Sequence, residues 1–393
     1  MNLTLLLDLD DTLLSNNMDT FLPAYLKALS THIDTRVPAK QMIQELLSAT
    51  GLMQTKRLPA HTLEQTFDRA FYPGIGVEKA ELRETIDQFY QNVFPTLQPL
   101  TTARREAVEL VDFAVAQGWD VVIATNPLFP ATAVHQRLDW TGLAPDRYPF
   151  RLVTAYHQFH YAKPNPAYFA EILAQLGWPN QPAVMVGNSI EEDIEPASKL
   201  GLPCYWLTDD GQQPLPKGAH PLSASGGMAG IVPWLRQVAD RKPRLTCDSS
   251  DALLAVLQST PAALDTFTHG LTEGQWRQAP KANEWSLTEI VCHLRDVDRE
   301  VNLPRLIRVL SEEKAHLTGI DTDPWAKMRD YAAQDGPAAL VEFSETRSKI
   351  IDLLDHLSPQ EWEKGAQHTI FGPTTLRELM SFIATHDRTH IQQ

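Results

Sequence analysis

Cysteine is scarce in this chain. Its 393 residues include three, Cys204, Cys247 and Cys292, far apart and odd in number, so neither a disulfide framework nor a paired-thiol metal motif is present. Positive charge is short too, with 34 lysines and arginines against 49 aspartates and glutamates. That balance disfavours a nucleic-acid partner, because too few cations stand ready to replace the counterions that binding releases. It leaves open a small phosphorylated ligand, since a few local cations and a metal reverse the field inside one cleft. No apolar run approaches the roughly 20 residues of a membrane helix, and no membrane partner is expected. The opening MNLTLLLDLDD has no basic region ahead of its few apolar residues, so it does not read as a signal peptide and the expected compartment is the cytoplasm.

What is present asks for at least two cores, because a single core stops growing above about 250 residues. Residues 3–7 form a short continuous apolar run, as expected of a strand buried on both faces of a parallel sheet. From 19 to 97 the pattern is helical, punctuated by Pro38, Pro59 and Pro73-Gly74, and reads as an inserted helical cap. A helix near 102–117, strands at 121–124 and 150–154, a helix at 166–176, strands at 183–186 and 204–207 and a helix at 229–238 then alternate, which implies an α/β domain with a parallel sheet. Residues 211–227, rich in Pro, Gly and Ser, read as a loop, and 241–248 as a linker. Beyond 249 the pattern is helical, at about 250–268, 286–311, 335–356 and 374–391, with no convincing strand, and predicts an all-α four-helix bundle over 249–393.

The chemistry starts at Asp8-Leu9-Asp10-Asp11-Thr12, directly after the first strand. Side chains alternate along extended backbone, so Asp8 and Asp10 point to one side at the carboxyl edge of the sheet, where open α/β folds place ligands. Two carboxylates aimed at one spot need a cation or a shared proton. Mg²⁺ supplies the first, leaving Asp8 as a nucleophile toward phosphorus and Asp10 as the acid that protonates the leaving oxygen and the base that later activates water. Thr125, with Asn126, ends the second strand and can hold phosphoryl oxygens; Lys163 precedes a helix and can neutralise charge between Asp8 and substrate. Gly187 to Asp193 follows the fourth strand and offers hard oxygen ligands in Asn188 and Asp193. An acidic pair after a strand also serves as a helix cap, but four such elements in order favour catalysis.

These four elements resemble the motif pattern of the haloacid dehalogenase (HAD) superfamily over most of residues 1–240. The resemblance implies a Rossmann-like core over 1–18 and 98–240, a helical cap of the C1 type over 19–97 that selects substrate, and a Mg²⁺-dependent phosphoric monoester hydrolase with an aspartyl-phosphate intermediate. The metal set it implies is Asp8, Asp10, Asn188 and Asp193. Asn188 stands where the family pattern has an aspartate, which weakens the expected metal site and keeps a catalytically retired domain as an alternative. The acid at Asp10 favours phosphate ester cleavage over carbon–halogen cleavage.

In the second domain His386 and His390 lie four apart on a predicted helix and so share a face. His293 lies on another helix, and three imidazoles from facing helices suit Zn²⁺, Ni²⁺ or Fe²⁺. The stretch Trp285 to Asp296 and the ending His386 to Gln393 resemble the DinB-like superfamily, whose metal triad is one histidine on the second helix and two on the last. That resemblance implies a metal site at these three residues and brings in a rival activity, a metal- and thiol-dependent transferase or isomerase beside a scaffolding HAD domain. Cys292 is expected to be packed rather than catalytic, and Trp285, Trp325 and Trp362 to plug the core or its ends. The leading expectation is a phosphatase acting on a small phosphorylated metabolite, with a sugar phosphate or nucleotide among the candidates, and with a homodimer through the bundle as a further option.

Overall fold

A computed structural model describes residues 2–33, 36–281 and 284–393. The chain divides into two compact units, one of Met1–Arg57, His61–Tyr168 and Pro179–Thr246, the other of Leu58–Ala60, Phe169–Trp178 and Cys247–Gln393.

In the first unit six parallel strands stand in the order Leu152–Val153, Asp120–Ile123, Thr4–Leu7, Ala183–Gly187, Cys204–Leu207 and Ala224–Gly226. Leu5, Leu6 and Leu7 are wholly buried, which is why this strand reads as an unbroken apolar run rather than an alternating one. The register aligns Leu7 with Ile123 on one side and with Val186 on the other. Asp8, Thr125 and Asn188, which follow those three strands, therefore leave the sheet at one carboxyl edge. Helices Arg105–Ala116 and Ile231–Arg241 contribute Leu110, Val111, Trp234 and Leu235 to the core that also takes Leu5, Leu7 and Val121.

The sixth strand lies inside the stretch expected to be loop. Its residues, Ala224, Ser225 and Gly226, carry no apolar pattern, and they are placed by pairing with Tyr205 to Leu207. Ahead of helix Arg105–Ala116 the chain forms the cap helices Met18–Ile33, Ala39–Thr55, Leu63–Ile75 and Lys79–Gln88. They enclose a separate aromatic-rich cluster that includes Phe21, Tyr25, Met42, Phe71, Phe89 and Phe94. A two-stranded ribbon, Leu14–Ser15 with Thr102–Ala103, joins the two crossings between core and cap.

The second unit holds the helices Ser250–Thr268, Leu287–Val297, Gly336–Asp355 and Leu376–Gln392. Their starts are written locally, because Ser249 and Asp335 cap backbone N–H groups and Ser286 with Glu289, and Thr375 with Glu378, form capping boxes. Two expectations are corrected. The helix expected over 286–311 is interrupted by a π turn at Asp298–Asn302, after which Pro304 opens Leu303–Ser311. The bundle also carries a three-stranded sheet of Ala315–Leu317, Gly365–His368 and Gly372–Thr375, whose segments of three or four residues are too short for periodicity to reveal.

Candidate active site and metal centre

At the carboxyl edge of the first unit, Lys163 Nζ lies 2.7 Å from Asp8 Oδ1 and 2.6 Å from Asp193 Oδ1. All three residues are buried. Thr12 Oγ1 donates to Asp8 Oδ2 at 3.0 Å and approaches Asn188 Oδ1 at 3.3 Å. Asp193 Oδ2 accepts the Ser189 backbone N–H at 3.0 Å, so both its oxygens are engaged. Glycine is needed at 187, since a Cβ there would overlap Oδ2 and Cγ of Asp193. Thr125 and Asn126 line the same cavity as Asp8, Asp10, Asn188 and Asp193. The Thr125 carbonyl accepts from Thr154 Oγ1 and Tyr168 OH, both at 2.7 Å. Asn126 Nδ2 reaches Glu192 Oε2 at 3.4 Å, while its Oδ1 is buried without a hydrogen-bond partner.

The structure thus brings the distant residues 8, 10, 125, 126, 163, 188 and 193 together. It adds two that sequence reasoning missed. Arg137, itself fully buried, pairs with Asp10 Oδ2, and Asn16 Nδ2 donates to Asp10 Oδ1 at 2.8 Å. Arg137 had a signal of its own, for it lies on the buried side of helix Ala131–Thr141 between Val134, Leu138 and Thr141, and an arginine on such a face needs an anionic partner. Nothing in the sequence pattern says which carboxylate that is.

The electrostatics fit a divalent cation. Asp8, Asp10, Asp193 and Glu192 gather around the site against Lys163 and Arg137, which leaves carboxylate charge uncompensated. Burial pushes the Asp8 pKa up to about 7; Lys163 opposes the rise, and Asp193 and Asp10 add to it. Burial works against the charge of Lys163 too, but Asp193 and Asp8 outweigh it and hold its pKa above the ordinary lysine value. A divalent ion beside Asp8 would relieve the excess, and the donors at hand, carboxylates and the Asn188 amide oxygen, are the hard oxygens that Mg²⁺ takes.

In the second unit His293, His386 and His390 converge. His386 Nε2 lies 3.0 Å from His293 Nε2 and 3.1 Å from His390 Nε2. Three nitrogens held at about 2.0–2.1 Å from one ion stand roughly 3.0–3.4 Å apart, so the cluster is close to the spacing a metal needs. Burial holds His293 near pKa 3 and His386 near 4, and the neighbouring imidazoles push the same way, which keeps the rings neutral and fit to ligate. His390 Nδ1 lies 2.9 Å from Gln393 Oε1, an outer contact that orients the ring. Trp285, expected only as a packing aromatic, instead stacks on His390 with centroids 5.7 Å apart and planes 7° apart. Cys292 is buried, as a packed thiol would be. Beneath the triad Arg347 bridges Asp298 of the π turn and Asp387 of the last helix, all three fully buried.

Comparison with known proteins follows the same division. Residues 3–201 match the haloacid dehalogenase-like hydrolase family, and residues 257–393 match the DinB superfamily. The "Putative metal-dependent hydrolase YfiT" of Bacillus subtilis is 24% identical over 157 residues, which is 39% of this chain and 88% of that protein. Among solved structures, a HAD phosphatase from Thermococcus onnurineus shares 16% identity over 59% of this chain and 97% of its own, with a TM-score of 0.39. A 2-haloacid dehalogenase from Pseudomonas syringae pv. Tomato DC3000 shares 17% over 60% and 99%, with a TM-score of 0.43.

Proposed function

The chain belongs to the haloacid dehalogenase-like hydrolases through residues 3–201 and carries a DinB-superfamily domain over residues 257–393, and on that premise we propose that its first unit is a Mg²⁺-dependent phosphatase of small phosphate monoesters. The observation that carries this reading is the Asp8–Lys163–Asp193 bridge beside Asp10 and Asn188, three carboxylates and an amide around one cavity. Asp8 attacks phosphorus, its Oδ–P bond forming as the bond to the leaving alcohol breaks; water then cleaves the aspartyl-phosphate and regenerates the carboxylate. Lys163 holds Asp8 in place and offsets the charge that the phosphoryl group brings. Thr125 and Asn126, which line the same cavity, hold phosphoryl oxygens. Arg137 and Asn16 fix both oxygens of Asp10, so its carboxylate is aimed rather than free to rotate, as proton transfer to the leaving alcohol and from the attacking water requires. Bound Mg²⁺ would supply charge neutralisation between the nucleophile and the phosphate.

Phosphate release from an aryl phosphate, measured with and without Mg²⁺, tests the reading. Asp8→Asn is expected to abolish the Mg²⁺-dependent rate, and equal rates in the variant and wild type would remove Asp8 from the chemistry.

A second reading concerns the bundle, where the three converging Nε2 atoms support a divalent-metal site of its own. YfiT carries a metal-dependent hydrolase name, and we extend to this unit a metal-dependent hydrolase or thiol-dependent transferase activity. Metal content of the purified protein, compared with His386→Ala/His390→Ala, is the check; unchanged content would dismiss the triad.

A further inference from the structure

The cavity that holds the carboxylates has a volume of about 540 Å³, room for a whole small-molecule ligand rather than for a phosphate alone. Most of the remaining wall comes from the cap and is apolar or aromatic, including Leu22, Leu29, Leu46, Phe67, Phe71 and Ile86, with Thr50, Gln54 and Asp68 as its polar members. Apolar surface of this extent, gathered in one concavity beside polar catalytic groups, is a feature of ligand sites.

Charge and hydrogen bonding narrow the ligand further. Among the described residues that line the cavity there is no lysine or arginine, whereas Asp11, Asp68 and Glu192 line it in addition to the catalytic carboxylates. Lys163 is committed to Asp8 and Asp193, and Arg137 to Asp10. A second anionic group on the substrate would therefore find no cation. Part of the polar lining is already engaged within the protein: Tyr25 OH and Tyr90 OH share a hydrogen bond of 3.0 Å, Thr50 Oγ1 donates to the Leu46 carbonyl at 2.8 Å, and Asp68 is paired with Lys79 at 2.6 Å. Gln54, Tyr72 and Tyr156 also line it, but these few polar groups are spread over a mostly apolar wall, and a sugar buried there would leave some of its hydroxyls short of partners.

Resting on the phosphatase reading, we propose that the group this site releases is an apolar alcohol without a second charge: the substrate class is the phosphate monoester of an aliphatic or aromatic alcohol, not a sugar phosphate, a nucleotide or a phosphorylated acid. The phosphate binds at the carboxylate end and the hydrocarbon fills the space among the cap helices.

The test uses the full chain with Mg²⁺ and n-alkyl phosphates from ethyl to octyl, beside glucose 6-phosphate and 2-phosphoglycolate. Expected is a kcat/KM that rises roughly fourfold per methylene until the cavity is full, with both comparison esters at least tenfold below hexyl phosphate. Leu22→Asn and Phe67→Gln, at two partly exposed wall positions, each flatten that rise. Calorimetric binding of the matching n-alkylphosphonates, which cannot be hydrolysed, separates this inference from the reading it rests on. Affinity that climbs with chain length while no ester is turned over sinks the phosphatase reading and upholds the apolar site. Affinity or kcat/KM indifferent to chain length, or glucose 6-phosphate turned over as well as hexyl phosphate, overturns the apolar site even if Asp8-dependent phosphate release is intact.

Discussion

Arg137 and Gly187 bear on the proposed chemistry without the motif logic that marks Asp8 or Lys163. Arg137 is buried against Asp10, and its Nε and Nη2 have no hydrogen-bond partner, so the pair is its main compensation for burial. Arg137→Met removes the cation that holds Asp10; turnover is expected to fall about tenfold or more as the carboxylate loses its aim, and stability to fall by about 3 kcal/mol, as when one partner of a buried pair is removed. Steady-state kinetics together with thermal unfolding checks both, and unchanged turnover would leave Arg137 with a purely structural role. At Gly187 an added methyl meets the anchored Asp193 carboxylate. Gly187→Ala should displace that carboxylate and loosen Lys163, costing roughly 1–3 kcal/mol and at least tenfold in Mg²⁺-dependent turnover, measured by unfolding and steady-state kinetics.

At the scale of elements, the π turn Asp298–Asn302 interrupts a helix at the place where Asp298 meets Arg347. Burial raises the Asp298 pKa against the opposing pull of Arg347, so Arg347 is what offsets the cost of burying that carboxylate inside the bundle. Arg347→Met should destabilise the bundle by roughly 3–5 kcal/mol, read as a lower Tm. The histidine cluster joins helix Leu287–Val297 to the last helix and titrates with the opposite sign. Its folded pKa values lie below the ordinary 6.5, near 3 for His293 and 4 for His386, so the unfolded chain binds protons first as pH falls. The stabilisation is complete above about pH 6.5 and is lost as pH falls toward 4 and 3. Metal-free protein should therefore show a bundle Tm that declines across that window, while His386→Ala/His390→Ala flattens the decline.

For the whole molecule, the two metal centres proposed for its two units predict separable losses. Chelation should remove the Mg²⁺-dependent phosphatase rate and also lower the bundle's Tm, because a ligand bound only to the folded state stabilises it by mass action. His386→Ala/His390→Ala should abolish the second effect and spare the first, as read by phosphate release and calorimetry on the same preparation. Among the described residues no helix is long and apolar enough to cross a membrane.

The order of strands and helices, the placement of Asp8, Lys163 and Asn188 at strand or helix ends, and the shared face of His386 and His390 were legible in the sequence, because periodicity, capping residues and chain order are local properties. The short sheet of the bundle and the strand Ala224–Gly226 were not, since three or four residues carry too little pattern and owe their conformation to a neighbour's backbone. Nor were the Asp10–Arg137 pair, the stacking of Trp285 on His390 and the apolar walls above the carboxylates. Those are meetings between segments far apart in the chain, and only packing in three dimensions chooses the partner.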